Sequence, residues 1–176
     1  MTAATGPATS PATSPAAGPA TARHIIELLT VRGQTVAVAE SLTGGMVAAA
    51  LTSVPGSSAV VRGGIIAYAT DLKAALLGVP AGLLARTGPV DPGVAAAMAA
   101  GVRVRLDASY GLSTTGVAGP GPAGGKPQGT VFIAVDGPSG LVGSGLHLAG
   151  GRQEVRAQVV QAVLSLLISA LREDES

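Results

Sequence analysis

The chain has 176 residues, 47% of them hydrophobic and only 2% aromatic, with a formal charge of +1 and no cysteine. That length and apolar content fit one domain with a core of Ala, Val, Leu and Ile, and the missing thiols exclude disulfides, thiolate catalysis and cysteine-built zinc sites. Basic residues are scattered and lack interleaved aromatics, which sets nucleic acid aside as a partner, and the two histidines, His24 and His147, lie far apart in apolar stretches. A metal site or a Ser-His-Asp triad is therefore poorly supplied, and the chemistry must run on Ser, Thr, Tyr, Lys, carboxylates and backbone amides.

Residues 1–22, "MTAATGPATSPATSPAAGPATA", are low in complexity and rich in Pro, Ala, Thr and Ser. Such a stretch is expected to be disordered. It has no basic n-region and no Leu-rich h-region, so it does not read as a signal peptide. The longest apolar runs fall short of the roughly 18 to 20 residues that span a bilayer. The expectation is a cytoplasmic protein with no membrane contact and a folded domain over 23–176.

Helical spacing of Ile25, Ile26, Leu28 and Leu29 predicts a first helix that stops at Gly33. "QTVAVAE" (34–40) predicts a strand, residues 44–54 a helix, "GIIAYAT" (64–70) a second strand and 71–78 a helix capped by Asp71. Asp91-Pro92 opens an Ala-rich helix to about Leu106. "SYGLSTT" (109–115) is a third strand, "TVFIAVD" and "LVGSGLHLA" form a hairpin around "GPSG", and a last helix covers about 151–172. Helices interleaved with strands, plus one hairpin, predict an α/β three-layer sandwich with a mixed sheet, parallel βα units followed by an antiparallel hairpin. Ligands in such sheets bind beyond the strand carboxyl ends, here "ESLTGG", "YATDLK" and "TTGVAGPG".

Of the eleven basic residues only Lys73 and Lys126 are lysine. An amine can lose its proton at accessible pH and a guanidinium cannot, so Lys73, just after Tyr68, is a candidate base. Its place in the first turn of a helix, at the positive end of the dipole, would depress its pKa; a solvated lysine beside a core tyrosine is the plain alternative. "PGSSAVVRGG" offers Ser57 or Ser58 as a nucleophile for that base, or a capped turn. "AESLTGG" puts Ser41, Thr43 and Gly44 at a strand-to-helix turn whose amides could hold an anion, or gives an ordinary hydroxyl N-cap. "STTGVAGPGPAGGKPQGTV" is neither a phosphate loop nor a dinucleotide fingerprint, but a long backbone-exposing loop of the kind that carries function. Arg152 opens the last helix on the unfavourable side of its dipole unless it faces an anion.

Taken in order, "AESLTGG", "VPGSSAVVRGGIIAYATDLKAALLGV", "GPVDPGVAAAMAAG", "STTGVAGPGPAGGKPQGTV" and "GGRQEVR" resemble the CinA C-terminal domain family, the nicotinamide-nucleotide amidohydrolases. The likeness runs from residue 25 to 171. It implies hydrolysis of the carboxamide of nicotinamide mononucleotide to nicotinate mononucleotide and ammonia, in pyridine nucleotide recycling, without a metal or other cofactor. By that resemblance Ser58 is the nucleophile with Ser57 as fallback, Lys73 its base and Tyr68 a partner in proton transfer. Ser41, Thr43, Gly44, Thr115 and Gly116 line the substrate pocket and Arg152 faces the phosphate. The chain departs from the family where Leu42 replaces a frequent Cys and Gly151 a frequent Asp. A non-catalytic ligand-binding or interaction domain of the competence/damage-inducible type, and an amidase for another small carboxamide, are the rival readings. The Ala-rich helices make a homodimer plausible.

Overall fold

The computed structural model describes residues 17–174, and the element order is the one that periodicity predicts, with one addition. Helix α1 (Ala17–Arg32) leads into strand β1 (Val36–Glu40), helix α2 (Met46–Thr52), a 3-10 turn (Ser57–Ala59) and strand β2 (Val61–Ile66). Helices α3 (Thr70–Leu77), α4 (Ala81–Thr87) and α5 (Pro92–Arg105) follow. Strands β3 (Tyr110–Gly116), β4 (Thr130–Gly137) and β5 (Gly140–His147) and helix α6 (Arg152–Glu173) complete the domain. The five strands form one sheet in the order β2-β1-β3-β4-β5, parallel across the first three and antiparallel across the last three.

Strand β1 explains the layering. Val36 and Val38 point to one face and join Ile25, Leu29, Leu51, Leu112, Ile133 and the apolar stripe of α6 in the larger core; Ala37 and Ala39 point to the other and meet Leu77, Val94, Met98 and Val102. The period of two sends alternate residues to opposite faces, so α1, α2 and α6 cover one side and α3, α4 and α5 the other. Alanine on the second face lets α5 lie close. A Cβ built on Gly111 would sit 2.1 Å from the carbonyl oxygen of Ala99, so only glycine admits that approach. α5 starts as its sequence predicts, with Asp91 Oδ1 accepting from the Gly93 amide at 2.8 Å and Pro92 in the first turn.

The structure differs from the sequence reading at four elements. α1 begins at Ala17, inside the stretch expected to be disordered; Pro19 falls in its first turn, where a missing N–H breaks no helical bond. The rest of the expected tail, residues 1–16, lies outside the described residues. β2 starts and stops earlier than expected because its register against β1 pairs Val36 with Val61 and Glu40 with Ile66, which leaves Tyr68 in the loop beyond the strand. α3 is capped by Ala69 without a side-chain bond, so Asp71 sits inside the first turn rather than at the cap. α4 lies between two predicted helices, where the sequence reading places no element. α6, a 22-residue helix containing an 18-residue window of mean hydropathy 1.4, has the length and composition of a bilayer span, but its Val155, Val159, Val163, Leu164, Leu167 and Leu171 are buried in the core.

Candidate active site

The carboxyl ends of β1 and β3 lie side by side, with Glu40 paired to Thr114, and the loop after β2 lies beside them, since Glu40 also pairs with Ile66. β1 is where successive strands switch from one side to the other, the place where open α/β sheets leave a crevice. A cavity of about 240 Å³ opens there, bordered by Ser41, Tyr68, Lys73, Thr115, Gly116 and Arg152, with the glycine-rich loop after β3 as one wall.

Lys73 forms the inner end of this cavity. It lies on the buried side of α3 with Leu77, and its side chain is only 1% exposed. Nζ donates to the Ala67 carbonyl at 2.7 Å and to Ser41 Oγ at 3.0 Å. No described carboxylate borders the cavity or pairs with this amine. Desolvation therefore acts uncompensated and lowers its pKa from 10.5 to about 8. An amine that sheds its proton near neutrality, within hydrogen-bond reach of a serine hydroxyl, has the geometry of a base and its nucleophile.

Ser41 follows β1 directly, on a turn whose other polar groups are nearly all used. The Ser41 amide donates to the Thr114 carbonyl at 3.0 Å and the Gly44 amide to the Ser41 carbonyl at 3.1 Å. α2 has Gly45 as its N-cap, with no side-chain cap. Glu40, 1% exposed, caps it instead: Oε2 accepts from the amides of Gly45 and Val47 at 2.9 and 3.1 Å, and Oε1 from Ala48 at 2.8 Å. From the other side Arg156 of α6 donates through Nε to the Leu42 carbonyl at 3.0 Å and through Nη2 to the Thr43 carbonyl at 2.8 Å. Among the described residues the Leu42 and Thr43 amides have no acceptor.

The mouth of the cavity is polar and exposed. Arg152 donates through Nη2 to the Tyr68 hydroxyl at 2.6 Å and through Nη1 to the Gly119 carbonyl at 2.7 Å, tying the loops after β2 and β3 to the start of α6. Gln128 braces the same wall, accepting from the Gly121 amide at 3.2 Å and donating to the Gly150 carbonyl at 2.9 Å. Thr115 Oγ1 donates to the Pro89 carbonyl at 2.7 Å. No cluster of three His, Cys, Asp or Glu side chains that could hold a metal occurs among the described residues.

Residues 19–171 match the CinA C-terminal domain profile. The chain belongs to the CinA C-terminal domain family. It is 54% identical to a CinA-like protein of Frankia casuarinae over 81% of this chain and 33% of that one, and 48% identical to a CinA-like protein of Anaeromyxobacter dehalogenans over 84% and 36%. This CinA domain thus spans about a third of the length of the curated relatives it matches. Among solved structures it superposes on the competence/damage-inducible protein of Agrobacterium tumefaciens with a TM-score of 0.86 at 38% identity, covering 90% of this chain and 97% of that one. A CinA-superfamily protein of Escherichia coli gives a TM-score of 0.83 at 29% identity, over 86% and 88%. These structures share the α/β architecture with its mixed sheet.

Within this CinA domain the expected site residues separate into two groups. Ser41, Tyr68, Lys73, Thr115, Gly116 and Arg152 converge on the cavity. Ser58 does not: it is exposed on the 3-10 turn that precedes β2, at the opposite end of the sheet. The six residues of β2 separate that turn from the cavity, about 20 Å at the rise of a strand. Ser57 is buried on the same turn, with Oγ donating to the Thr52 carbonyl at 3.5 Å. Neither serine reaches Lys73, and the partner assigned to Lys73 moves from Ser58 to Ser41. Thr43 and Gly44 do not border the cavity either. Thr43 is fully buried with Oγ1 2.8 Å from Thr114 Oγ1, and Gly44 turns outward at φ 58°. The anion site expected at the start of α2 is filled by the Glu40 carboxylate. Glu40, Arg156 and Gln128 were not singled out from sequence. An acid as the last residue of a strand, five residues before the N-cap glycine of a helix that lacks its own capping side chain, is the available signal for Glu40.

Proposed function

We propose that this CinA domain hydrolyses the carboxamide of nicotinamide mononucleotide, releasing ammonia and nicotinate mononucleotide, with Ser41 as nucleophile and Lys73 as its base. The observation that carries this reading is the 3.0 Å contact between Ser41 Oγ and a buried amine that has no counter-ion among the described residues. Neutral Lys73 has two N–H bonds and a lone pair. The Ala67 carbonyl takes one N–H, which leaves the lone pair free to face Ser41. Ser41 Oγ attacks the carboxamide carbon as its proton passes to Nζ. The resulting ammonium gives that proton to the departing nitrogen, and ammonia leaves an acyl-Ser41 ester. Water then adds to the ester with Lys73 again as base, and the acid is released.

The pyridinium ring withdraws electrons from the amide and offsets its poor electrophilicity. The place of Arg152, an exposed cation that borders the cavity at its mouth with the Tyr68 hydroxyl that accepts from it, supports a role in holding the phosphate. The family membership supports the reading at the level of the domain; the names of its relatives speak of competence and damage induction rather than of a substrate.

The test is ammonia release from nicotinamide mononucleotide by the wild type, Ser41→Ala and Ser58→Ala. Turnover lost in the first variant and kept in the second is expected. Turnover that survives Ser41→Ala would remove Ser41 from the mechanism. Thermal stabilisation by the nucleotide with no ammonia from the wild type would favour a ligand-binding domain instead.

A further inference from the structure

We propose that Glu40 and Arg156, neither of which borders the cavity, are positioning residues that hold the Ser41 turn so that the Leu42 amide donates to the oxyanion formed on attack by Ser41. This rests on the reading of Ser41 as nucleophile. Attack on a carbonyl puts negative charge on its oxygen, and donors already aimed at that oxygen are among the largest sources of rate. The amide of the residue after the nucleophile is close to the reacting carbon by connectivity alone.

The bonding of the turn leaves two amides by elimination, and the cavity lining selects Leu42 of the two. The Ser41 and Gly44 amides are engaged within the turn and β3. Glu40 takes the amides of Gly45, Val47 and Ala48, the very groups at the start of α2 that would otherwise compete for an anion. Only the Leu42 and Thr43 amides are left without an acceptor among the described residues, and Leu42 borders the cavity.

Peptide geometry then gives Arg156 a specific task. In a trans peptide the N–H points opposite to the C=O of the same plane. The Leu42 carbonyl and the Thr43 amide share one plane, so Nε of Arg156, bonded to that carbonyl at 3.0 Å, fixes the direction of the Thr43 N–H. Nη2, bonded to the Thr43 carbonyl at 2.8 Å, fixes the next plane, whose Gly44 amide donates to the Ser41 carbonyl at 3.1 Å; that carbonyl shares its plane with the Leu42 N–H, whose direction is thereby set. Glu40 anchors the entry to α2 and Arg156 the outer edge of the turn, and Ser41 lies between them. A guanidinium fork can hold two carbonyls at once; an ammonium holds them less well.

The test uses phenylmethylsulfonyl fluoride, which sulfonylates an activated serine with loss of fluoride and needs no knowledge of the natural substrate. Labelling is located by mass spectrometry and its rate compared among the wild type, Arg156→Ala, Arg156→Lys and Glu40→Gln, each checked for folding by thermal unfolding. Expected are labelling of wild-type Ser41, a rate at least about tenfold lower in folded Arg156→Ala and an intermediate rate in Arg156→Lys. With nicotinamide mononucleotide, kcat should fall in parallel while KM stays within about twofold, because interactions made only in the transition state are the ones removed. Should Glu40→Gln fail to fold, the two Arg156 variants carry the test. Equal labelling rates in wild type and folded Arg156→Ala overturn the positioning role while leaving Ser41 as nucleophile. Labelling at Ser57 or Ser58, or none at Ser41, overturns the nucleophile reading and this inference with it.

Discussion

The two ends of the sheet carry similar side chains in opposite circumstances. At the carboxyl end of the parallel strands, Ser41 meets a buried amine, and Tyr68, 56% exposed, accepts from Arg152 at an open mouth. At the other end, Ser58 is solvated on a turn and Ser57 meets only a carbonyl, while Tyr110 is fully buried and donates to Asp174. Hydroxyls are abundant at both ends, so hydroxyls do not mark the site. What differs is the ionisable partner: a desolvated base whose proton is loosely held at one end, and a phenol whose proton is tightly held at the other.

The contrast breaks most readily at the serines. Ser41→Ala should lower ammonia release by at least about a thousandfold, as removal of a nucleophile does, whereas Ser58→Ala should leave kcat/KM within about twofold, the range of a solvated surface change. A reversed outcome in the ammonia assay would place the chemistry at the wrong end of the sheet.

Lys73 is the next lever. Lys73→Arg should cost about a hundred- to ten-thousandfold in kcat, the usual worth of a general base, with the fold retained. Because burial depresses the pKa of Lys73 to about 8, the neutral base accumulates as pH rises through that value. The wild-type kcat/KM should therefore climb with pH and reach half its plateau near 8. A profile flat from pH 6 to 10 would exclude Lys73 as the titrating base.

How these residues come together explains what could be read in advance. The strands and helices were legible because Val and Ala alternate cleanly along β1 and apolar residues recur at helical spacing along α1 and α6. Lys73 was legible as well, as a lysine in a chain that otherwise uses arginine. Its serine was not. Ser58 is closer to Lys73 in sequence, fifteen residues before it, but a parallel sheet joins carboxyl ends to carboxyl ends. Ser41, one strand earlier, arrives beside Lys73 because Glu40 pairs with Ile66. Pairing register is a long-range property that periodicity does not encode. The role of Glu40 is not legible in the sequence for a related reason. A lone acid at the end of a strand gains meaning only when the helix that follows turns its free amides back toward it.

Arg152 sharpens the comparison at the mouth. Arg152→Ala should raise KM for the nucleotide by about tenfold with a smaller change in kcat, as expected for loss of a charge-assisted contact made in ground and transition states alike. A smaller shift is expected for Tyr68→Phe if the hydroxyl acts only by orienting Arg152. A larger fall in kcat than in affinity for that variant would give Tyr68 a part in proton transfer. Steady-state kinetics of the two variants separates the cases.

The smallest effect belongs to the far end. Burial, and then the hydrogen bond to Asp174, push the Tyr110 hydroxyl from 10.0 up to about 12. A group whose pKa is raised on folding contributes stability that is complete below its unfolded value and is lost as pH rises through its folded one. The wild type should therefore lose stability in urea between about pH 10 and 12 more steeply than Tyr110→Phe, which has no proton to lose. At pH 7 that variant should be less stable by about 1 kcal/mol, the net worth of one hydrogen bond, because Asp174 keeps its bond from the Ser139 amide at 3.1 Å. Its ammonia release should match the wild type at every pH where both are folded. Tyr110 belongs to the same sheet as the cavity and to the same strand as Thr115, so a change in kcat on losing this one hydroxyl would mean that the two ends are mechanically coupled through β3. Unchanged kcat would leave Tyr110 as a fixture of the core and confine the chemistry to the end where the lysine is buried.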